Sequence, residues 1–264
     1  MRHLRLGVIV PSSNTALEPL TQQIVASLNA DASLELSITV HFSRFRVTTI
    51  SLSSDANAQF ALEPMLEAAR LLGDAHVDVI GWSGTSASWL GFASDEVLCK
   101  AIAEATGIPA TTAVQGMNWI LESIKDKDKN KNKMGQVGLV TPYTPDVNKA
   151  IRENYQTGFG IAIPEECSLY AGLSDNVSFA AVEDSTWDKM VEEVVQNGAE
   201  TVLIMCTNVR AAHRARSWET RYASKGLRVL DSVATTVTGM LKLLDIKVKG
   251  GSMTETWGSV FDGE

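Results

Sequence analysis

The sequence predicts an α/β fold built from two similar halves. Short apolar runs that suit buried strands alternate with longer segments whose apolar residues recur at helical spacing. This alternation is typical of parallel sheets that are covered by helices on both faces. Two strand–turn patterns also recur in the same order along the 264 residues, which indicates an internal duplication.

In the first half, four apolar runs are interpreted as strands and three segments as helices. The predicted strands are residues 5–11, 34–42, 77–83 and 108–114. The predicted helices are residues 15–30, 57–75 and 94–107. For the last of these helices, Ser94 and Asp95 are candidate N-caps and Gly107 is the expected stop signal.

The second half repeats the pattern after a charged, low-complexity segment at 125–134, which is interpreted as a polar surface loop. Alignment of "VGLVTPYTPDVNKAI" with "LGVIVPSSNTALEPL" superimposes two glycines and two prolines. Alignment of "ETVLIMCTN" with "DVIGWSGTS" places Cys206 over Gly84. We therefore assign residues 1–115 to the first half and 116–231 to the second. A C-terminal helical segment, about 232–264, is expected to return to the first half.

Composition restricts the function. The net charge of −8 disfavours a nucleic-acid partner, and no apolar run approaches the roughly 18 residues that cross a membrane. Three cysteines without a CxxC pair disfavour a disulfide framework or a structural zinc site, so a cytoplasmic location is expected. No GxGxxG motif or P-loop is present, and no histidine has metal-site spacing, so no cofactor or metal is expected.

Polar turns follow four of the predicted strands, at residues 11–15, 83–88, 141–146 and 206–208. Ligands of parallel α/β sheets bind outside the carboxyl ends of the strands. Each turn leads into an expected helix N-terminus, where backbone N–H groups and the helix dipole favour an anion. Hydroxyl and amide donors in the turns suit a carboxylate, or the enediolate that forms from one.

Cys206 directly follows the buried strand "TVLIM". A thiol at a helix N-terminus has a lowered pKa and acts as a nucleophile or a proton donor. The alternative is a buried, inert thiol, which is the usual state of a free cysteine. Cys99 lies inside an amphipathic helix pattern and Cys167 near a strand edge, so both are interpreted as structural.

The turn sequences "PSSNT", "GTS", "PYTPDVN" and "CTN" resemble those of the aspartate/glutamate racemase superfamily, in its branch of maleate cis–trans isomerases and arylmalonate decarboxylases. The resemblance covers nearly the whole chain in order. It implies two Rossmann-like (flavodoxin-like) halves, each with a parallel four-stranded sheet, related by a pseudo-twofold with the active site between them. It also implies a cofactor-free enzyme, a small-molecule dicarboxylate substrate and a homo-oligomer.

The resemblance further implies residue roles. Family members usually carry one cysteine on each half, whereas this chain has Gly84 at the first position, as arylmalonate decarboxylases do. Cys206 would be the proton donor, and Thr85, Ser86 and Tyr143 would form a dioxyanion hole for one carboxylate. The remaining substrate-binding positions would be Pro11, Ser12, Asn14, Arg44, Val47, Gly84, Asn176, Thr207 and Asn208.

Three functions follow as hypotheses. The first is decarboxylation of a substituted malonate, because a reaction with one proton delivery needs a single thiol. The second is a maleate-type cis–trans isomerase that uses one cysteine, and the third is an inactive carboxylate-binding member of the family. Arg44 is either a bidentate carboxylate clamp or part of a solvated strand face. Gly84→Cys is expected to introduce racemising ability towards the acid product.

Overall fold

The computed structural model describes residues 1–128, 135–248 and 250–262. Within these ranges the strands form two parallel sheets of four strands each. The first sheet contains β1 (Arg2–Pro11), β2 (Leu36–Phe45), β3 (Val79–Trp82) and β4 (Ala110–Thr112). The second contains β5 (Val137–Thr141), β6 (Ser168–Tyr170), β7 (Thr201–Ile204) and β8 (Arg228–Asp231).

The two sheets have the same connectivity. Their strand orders are β2-β1-β3-β4 and β6-β5-β7-β8, so β5 corresponds to β1 and β7 to β3. The inner strands β1 and β5, which correspond to each other, have buried apolar residues on both faces, as parallel strands covered by helices on both sides require. In β1, for example, Val8, Ile9 and Val10 are all fully buried. The predicted α/β fold with two similar four-stranded halves is confirmed.

The helices connect and cover the strands. Those of the first half are α1 (Leu17–Ala30), α2 (Ser54–Ala58), α3 (Leu62–Asp74), α4 (Ala87–Leu90), α5 (Ala93–Thr106) and α6 (Ala113–Asp128). Those that follow are α7 (Pro145–Phe159), α8 (Asn176–Phe179), α9 (Asp184–Gln196), α10 (Ala215–Arg221), α11 (Ser232–Leu243) and α12 (Ser252–Trp257). Gly107 ends α5 with φ of 73°, which confirms the expected stop signal.

The single helix expected at 57–75 is wrong, because the chain forms α2 and α3 with a break between them. At the break, the side-chain oxygen of Gln59 accepts the N–H of Thr48 at 2.7 Å, and its amide donates to the carbonyl of Thr49 at 3.1 Å. These side-chain hydrogen bonds hold the loop after β2, while the backbone N–H groups of Phe60 and Ala61 bond to carbonyls three residues earlier, which ends the α-helical pattern. Helical periodicity in the sequence carries no sign of them.

Three other boundaries also differ from the expected ones. The strand expected at 108–114 is shorter, because α6 begins at Ala113. The strand expected at 34–42 continues to Phe45, so that Arg44 lies in β2. The segment 125–134 was expected to be a loop, but α6 continues to Asp128; the rest of that segment lies outside the described residues.

Helix α11 joins the two sheets. It begins directly after β8 of the second sheet and packs against β3, β4 and α6 of the first. Close approach depends on glycine: a Cβ at Gly116 would lie 2.1 Å from the carbonyl oxygen of Thr235, and one at Gly81 would lie 2.8 Å from Sδ of Met240. Placement of the domain boundary near 115–116 stays a prediction. In the described part of the chain, no helix combines the length and apolarity needed to span a bilayer.

Candidate active site

Turns from both sheets meet at the carboxyl ends of the strands. The hydroxyl of Thr207, after β7, donates to the carbonyl of Ser83, after β3, at 3.0 Å. The same hydroxyl accepts the side-chain amide of Asn14 at 3.2 Å. The hydroxyls of Thr85 and Tyr143 lie 2.6 Å apart, which joins the turn after β3 to the turn after β5. The four polar turns named from the sequence therefore form one cluster.

Cys206 lies in this cluster, two residues after the end of β7, and is 3% exposed. Its backbone N–H donates to the hydroxyl of Ser232 at 3.2 Å. Its sulfur accepts the backbone N–H of Asn208 at 3.3 Å and interacts with the hydroxyl of Tyr143. The chain after Cys206 forms a turn before the short 3-10 helix Ala212–Arg214, so no α-helix begins at the thiol.

The expectation of a lowered thiol pKa is wrong. Burial raises the pKa of Cys206 to about 12, and the carboxyl group of Asp231 acts in the same direction. Hydrogen bonds from Asn208 and Tyr143 to the sulfur offset only part of the cost of burying a thiolate. The thiol is therefore neutral throughout the physiological pH range. This state suits a proton donor better than a nucleophile.

The expected dioxyanion-hole residues are buried. Burial also raises the pKa of Tyr143 well above its usual value, so that its hydroxyl stays a neutral donor. The Tyr143 ring packs edge-on against Trp89 and Phe179, with centroids 5.4 and 5.5 Å away. Ser86 precedes α4 and lines an apolar cavity of about 330 Å³ that Phe60 and Met65 also border.

Four of the nine expected substrate-binding residues hold the two halves together, namely Asn14, Asn176, Thr207 and Asn208. Asn208 accepts the backbone N–H groups of Thr15 and Ala16 at 2.9 and 3.1 Å, and its amide donates to the carbonyl of Asn176. Asn176 in turn donates to the hydroxyl of Ser13 at 2.8 Å. These hydrogen bonds run between residues far apart in the sequence and fix the turn after β1 against the turn after β7.

The turn after β1 is also fixed within the first half. The side-chain oxygen of Asn14 accepts the N–H groups of Ala16 and Leu17, at the start of α1, at 3.1 and 2.9 Å. Ser12, which follows Pro11 at the end of β1, accepts the N–H of Val47 at 3.2 Å. These contacts hold Val47, which is fully buried, beside the turn.

Arg44 supports this turn from the outer side. Its guanidinium pairs with Glu18 at 2.9 Å and donates to the carbonyls of Ser12 and Asn14 at 2.9 and 3.1 Å. The side chain is 40% exposed. A clamp by Arg44 on a substrate carboxylate would require the guanidinium to leave Glu18, and that role stays a prediction.

The sequence pattern indicates that Trp82, beside the Gly84 turn, either shapes an aromatic wall or packs in the core, and it gives no role to Ser232 or Asp231. Ser232 and Asp231 lie at the junction of β8 and α11, beneath Cys206, and the signal for them is their position at a fourth strand end. Across residues 1–128, 135–248 and 250–262, no group of three His, Cys, Asp or Glu side chains is close enough together to bind a metal ion. A separate cavity of about 360 Å³, bordered by Trp119 and Lys242, contains none of the expected site residues.

Comparisons with known proteins identify the family of the chain. The chain matches the model of the Asp/Glu/hydantoin racemase family over residues 6–240. It is 24% identical over 250 residues to the maleate isomerase of Geobacillus stearothermophilus, with 93% of this chain and 94% of that protein covered.

Two solved structures have similar folds. One is a cysteine-to-alanine variant of the maleate isomerase Iso from Pseudomonas putida S16 with maleate, at a TM-score of 0.81 and 19% identity, covering 99% of this chain and 98% of that one. The other is unliganded arylmalonate decarboxylase, at a TM-score of 0.68 and 20% identity, covering 99% of this chain and 100% of that one. Because the family model spans most of the sequence, this chain belongs to the Asp/Glu/hydantoin racemase family of enzymes.

Proposed function

We propose that the protein is a cofactor-independent decarboxylase of a substituted malonate or a similar small dicarboxylic acid, with Cys206 as the proton donor. The observation that carries the proposal is the difference between two equivalent turns. The turn after β7 has a thiol, and the turn after β3 has Gly84 at the corresponding position. A reaction that delivers one proton to one face of a carbon needs only the first of these.

The chemistry proceeds in two steps. One substrate carboxylate accepts hydrogen bonds from the hydroxyls of Thr85 and Tyr143 and from backbone N–H groups. The bond between the central carbon and the second carboxylate breaks, CO₂ leaves, and the electron pair forms an enediolate on the retained carboxylate. The S–H of Cys206 then gives its proton to the central carbon, and the resulting thiolate takes a proton from water.

The protonation states of Cys206 and Tyr143 support these two reaction steps. A pKa of about 12 keeps the Cys206 thiol protonated until the more basic enediolate carbon forms. Burial likewise keeps the Tyr143 hydroxyl neutral, so that it donates to the growing negative charge without repelling it. Donors that are fixed in a buried site need little reorganisation when that charge develops.

A maleate-type cis–trans isomerase is the second candidate, favoured by the similarity to maleate isomerases. Such a reaction adds a nucleophile to the double bond, permits rotation and then expels the nucleophile. A buried thiol with a raised pKa is a weak nucleophile, and Gly84 supplies no second thiol. The third candidate is a protein that binds small carboxylates without turnover. The homo-oligomeric state and the cytoplasmic location stay predictions.

The decisive experiment incubates the protein with phenylmalonate, with alkylmalonates and with maleate, and measures CO₂ and fumarate. We expect CO₂ from a malonate. Cys206→Ala should lower kcat by about 10²-fold or more while a malonate still binds. Cys99→Ala, which changes a cysteine that hydrogen-bonds Gln115 away from the site, is the matched control and should keep normal turnover.

Each other outcome selects a different conclusion. Fumarate from maleate without CO₂ from any malonate would establish the isomerase. Binding of these acids without any product would establish the carboxylate-binding protein. Unchanged turnover by the Cys206→Ala protein would remove this thiol from the mechanism.

A further inference from the structure

The place that a side chain at residue 84 would take is filled by an aromatic ring. Gly84 and Cys206 are equivalent positions, each two residues beyond the third strand of its sheet. A Cβ atom added to Gly84 would lie 2.0 Å from Cζ2 and 2.4 Å from Cε2 of Trp82. Ordinary carbon contacts are about 3.5–4.0 Å, so the indole of Trp82 occupies the place that a side chain at residue 84 would take.

The ring is held at the edge of the catalytic cluster. Trp82 is 1% exposed, and its ring packs against Phe45 with centroids 5.1 Å apart. The residues on either side of Gly84 contact the second half and the dioxyanion donors: Ser83 accepts the hydroxyl of Thr207, and Thr85 meets Tyr143. The ring therefore lies directly against the turn that carries these contacts.

The indole of Trp82 also carries a donor. Its Nε1–H is buried and has no hydrogen-bond partner among the described residues. Burying a donor without an acceptor is unfavourable, and an indole N–H can only donate. The same holds for the indole groups of Trp89 and Trp187 within the described ranges, but the ring of Trp82 is the one that lies against Gly84. A carboxylate in the cleft supplies the kind of acceptor that this group lacks.

We propose that Trp82 is a specificity-determining residue, whose ring closes the face of the cleft opposite Cys206 and whose N–H donates to a substrate carboxylate. This inference rests on the proposed function for the nature of the ligand. It predicts that the proton reaches the central carbon from the Cys206 face alone, so that an unsymmetrical malonate gives one enantiomer of the acid. It also implies that Gly84→Cys alone places a second thiol at the site only if the ring moves.

The position of the ring is tested without any substrate, by thermal melting of a double-mutant cycle. Gly84→Cys should lower the melting temperature by about 5 °C, because the new side chain overlaps the indole. In a Trp82→Val background the same substitution should cost much less, because the ring is gone. Equal losses in the two backgrounds, or no loss in either, would overturn the assignment of the ring.

The donor is tested by calorimetric titration of phenylmalonate into the Cys206→Ala protein, in which turnover does not interfere. Adding Trp82→Phe should raise Kd about tenfold or more, because one hydrogen bond to the carboxylate is lost. The melting temperature is expected to fall, because phenylalanine fills less of the buried space that the indole occupies, so the donor is read from Kd and not from stability. Trp187→Phe is the matched control: it removes an equivalent buried N–H in α9 and should leave Kd unchanged.

The outcomes separate the inference from the proposed function. If phenylmalonate binds both Cys206→Ala proteins equally, Trp82 donates nothing to the carboxylate and the proposed function is unaffected. If phenylmalonate does not bind the Cys206→Ala protein at all, the proposed function fails and the donor assignment fails with it. The melting cycle still decides where the ring lies.

Discussion

At the scale of single residues, environment decides what each ionisable group can do. Cys206 and Tyr143 are both withdrawn from water, and both are held in their neutral, proton-donating forms. Exposed copies of the same side chains would titrate close to their ordinary pKa values. The cluster therefore presents neutral donors, which is the environment that the proposed carboxylate substrate requires.

Asp95 provides a test of burial that is independent of the reaction. Its carboxyl group lies near the start of α5, is 2% exposed and accepts a hydrogen bond from Thr112. Burial raises its pKa from 3.8 to about 7. The native state therefore binds this proton more tightly than the unfolded state does. The contribution to stability is complete below pH 4 and is lost as the pH rises to about 7.

We expect Asp95→Asn to abolish this pH dependence, because asparagine does not titrate. The free energy of unfolding of the wild type, relative to the variant, should fall by at most about 4 kcal/mol between pH 4 and pH 8. Urea denaturation of both proteins at several pH values measures the difference and cancels the other titrating groups. If the difference in unfolding free energy between wild type and variant does not change with pH, folding does not raise the pKa of Asp95.

At the scale of elements, the start of α11 connects stability to the site. Asp231 accepts the backbone N–H groups of Val233 and Ala234 at 2.8 and 3.2 Å, and so caps the helix. The next residue, Ser232, accepts the N–H of Cys206. The same turn therefore begins the helix that reaches the first sheet and positions the backbone of the thiol.

Asp231→Ala removes the cap and should lower the free energy of unfolding by about 1–2 kcal/mol, or the melting temperature by several degrees. Asp231→Asn keeps a side-chain oxygen at the same place and should retain most of the stability. Thermal melting of the two variants and the wild type compares them directly. Equal losses for alanine and asparagine would show that charge, and not the cap, is the contribution of Asp231.

At the scale of the whole molecule, the cluster around Cys206 is built from both sheets. Asn208 and Asn176 of the second half bind the turn after β1, and Thr207 binds the turn after β3. Helix α11 runs from β8 to a close contact with α6, where glycines let the backbones approach. Separation of the halves would break all of these contacts at once.

We therefore expect the two sheets to unfold as a single cooperative unit in spite of the internal repeat. Differential scanning calorimetry should show one transition, with the van't Hoff enthalpy equal to the calorimetric enthalpy. Asn208→Ala should lower the melting temperature of the whole transition, because it removes the acceptor of the Thr15 N–H, one of the two acceptors of the Ala16 N–H and the donor to the carbonyl of Asn176. Two resolved transitions, with Asn208→Ala moving only one of them, would show that the halves are independent.

Much of this molecule could be predicted from local patterns. Apolar periodicity and the repeated strand–turn pattern identified six of the eight strands, all except β6 and β8, and the turns at the strand ends identified the residues that cluster. The break between α2 and α3 could not be predicted in this way, because Gln59 there hydrogen-bonds Thr48 and Thr49, which lie outside both helices in the loop after β2. The pairing of Arg44 with Glu18 is likewise a contact between β2 and α1.

The sequence by itself determined the fold class and the family resemblance. It also determined that, of two equivalent turns, one has the thiol of Cys206 and the other has Gly84. These properties depend on residue order and spacing, which are local. The tertiary structure alone decided that Cys206 is a buried neutral acid, and that the indole of Trp82 fills the place of a side chain at Gly84. Both depend on which distant segments exclude water and occupy volume around a residue, and a linear pattern does not contain that information.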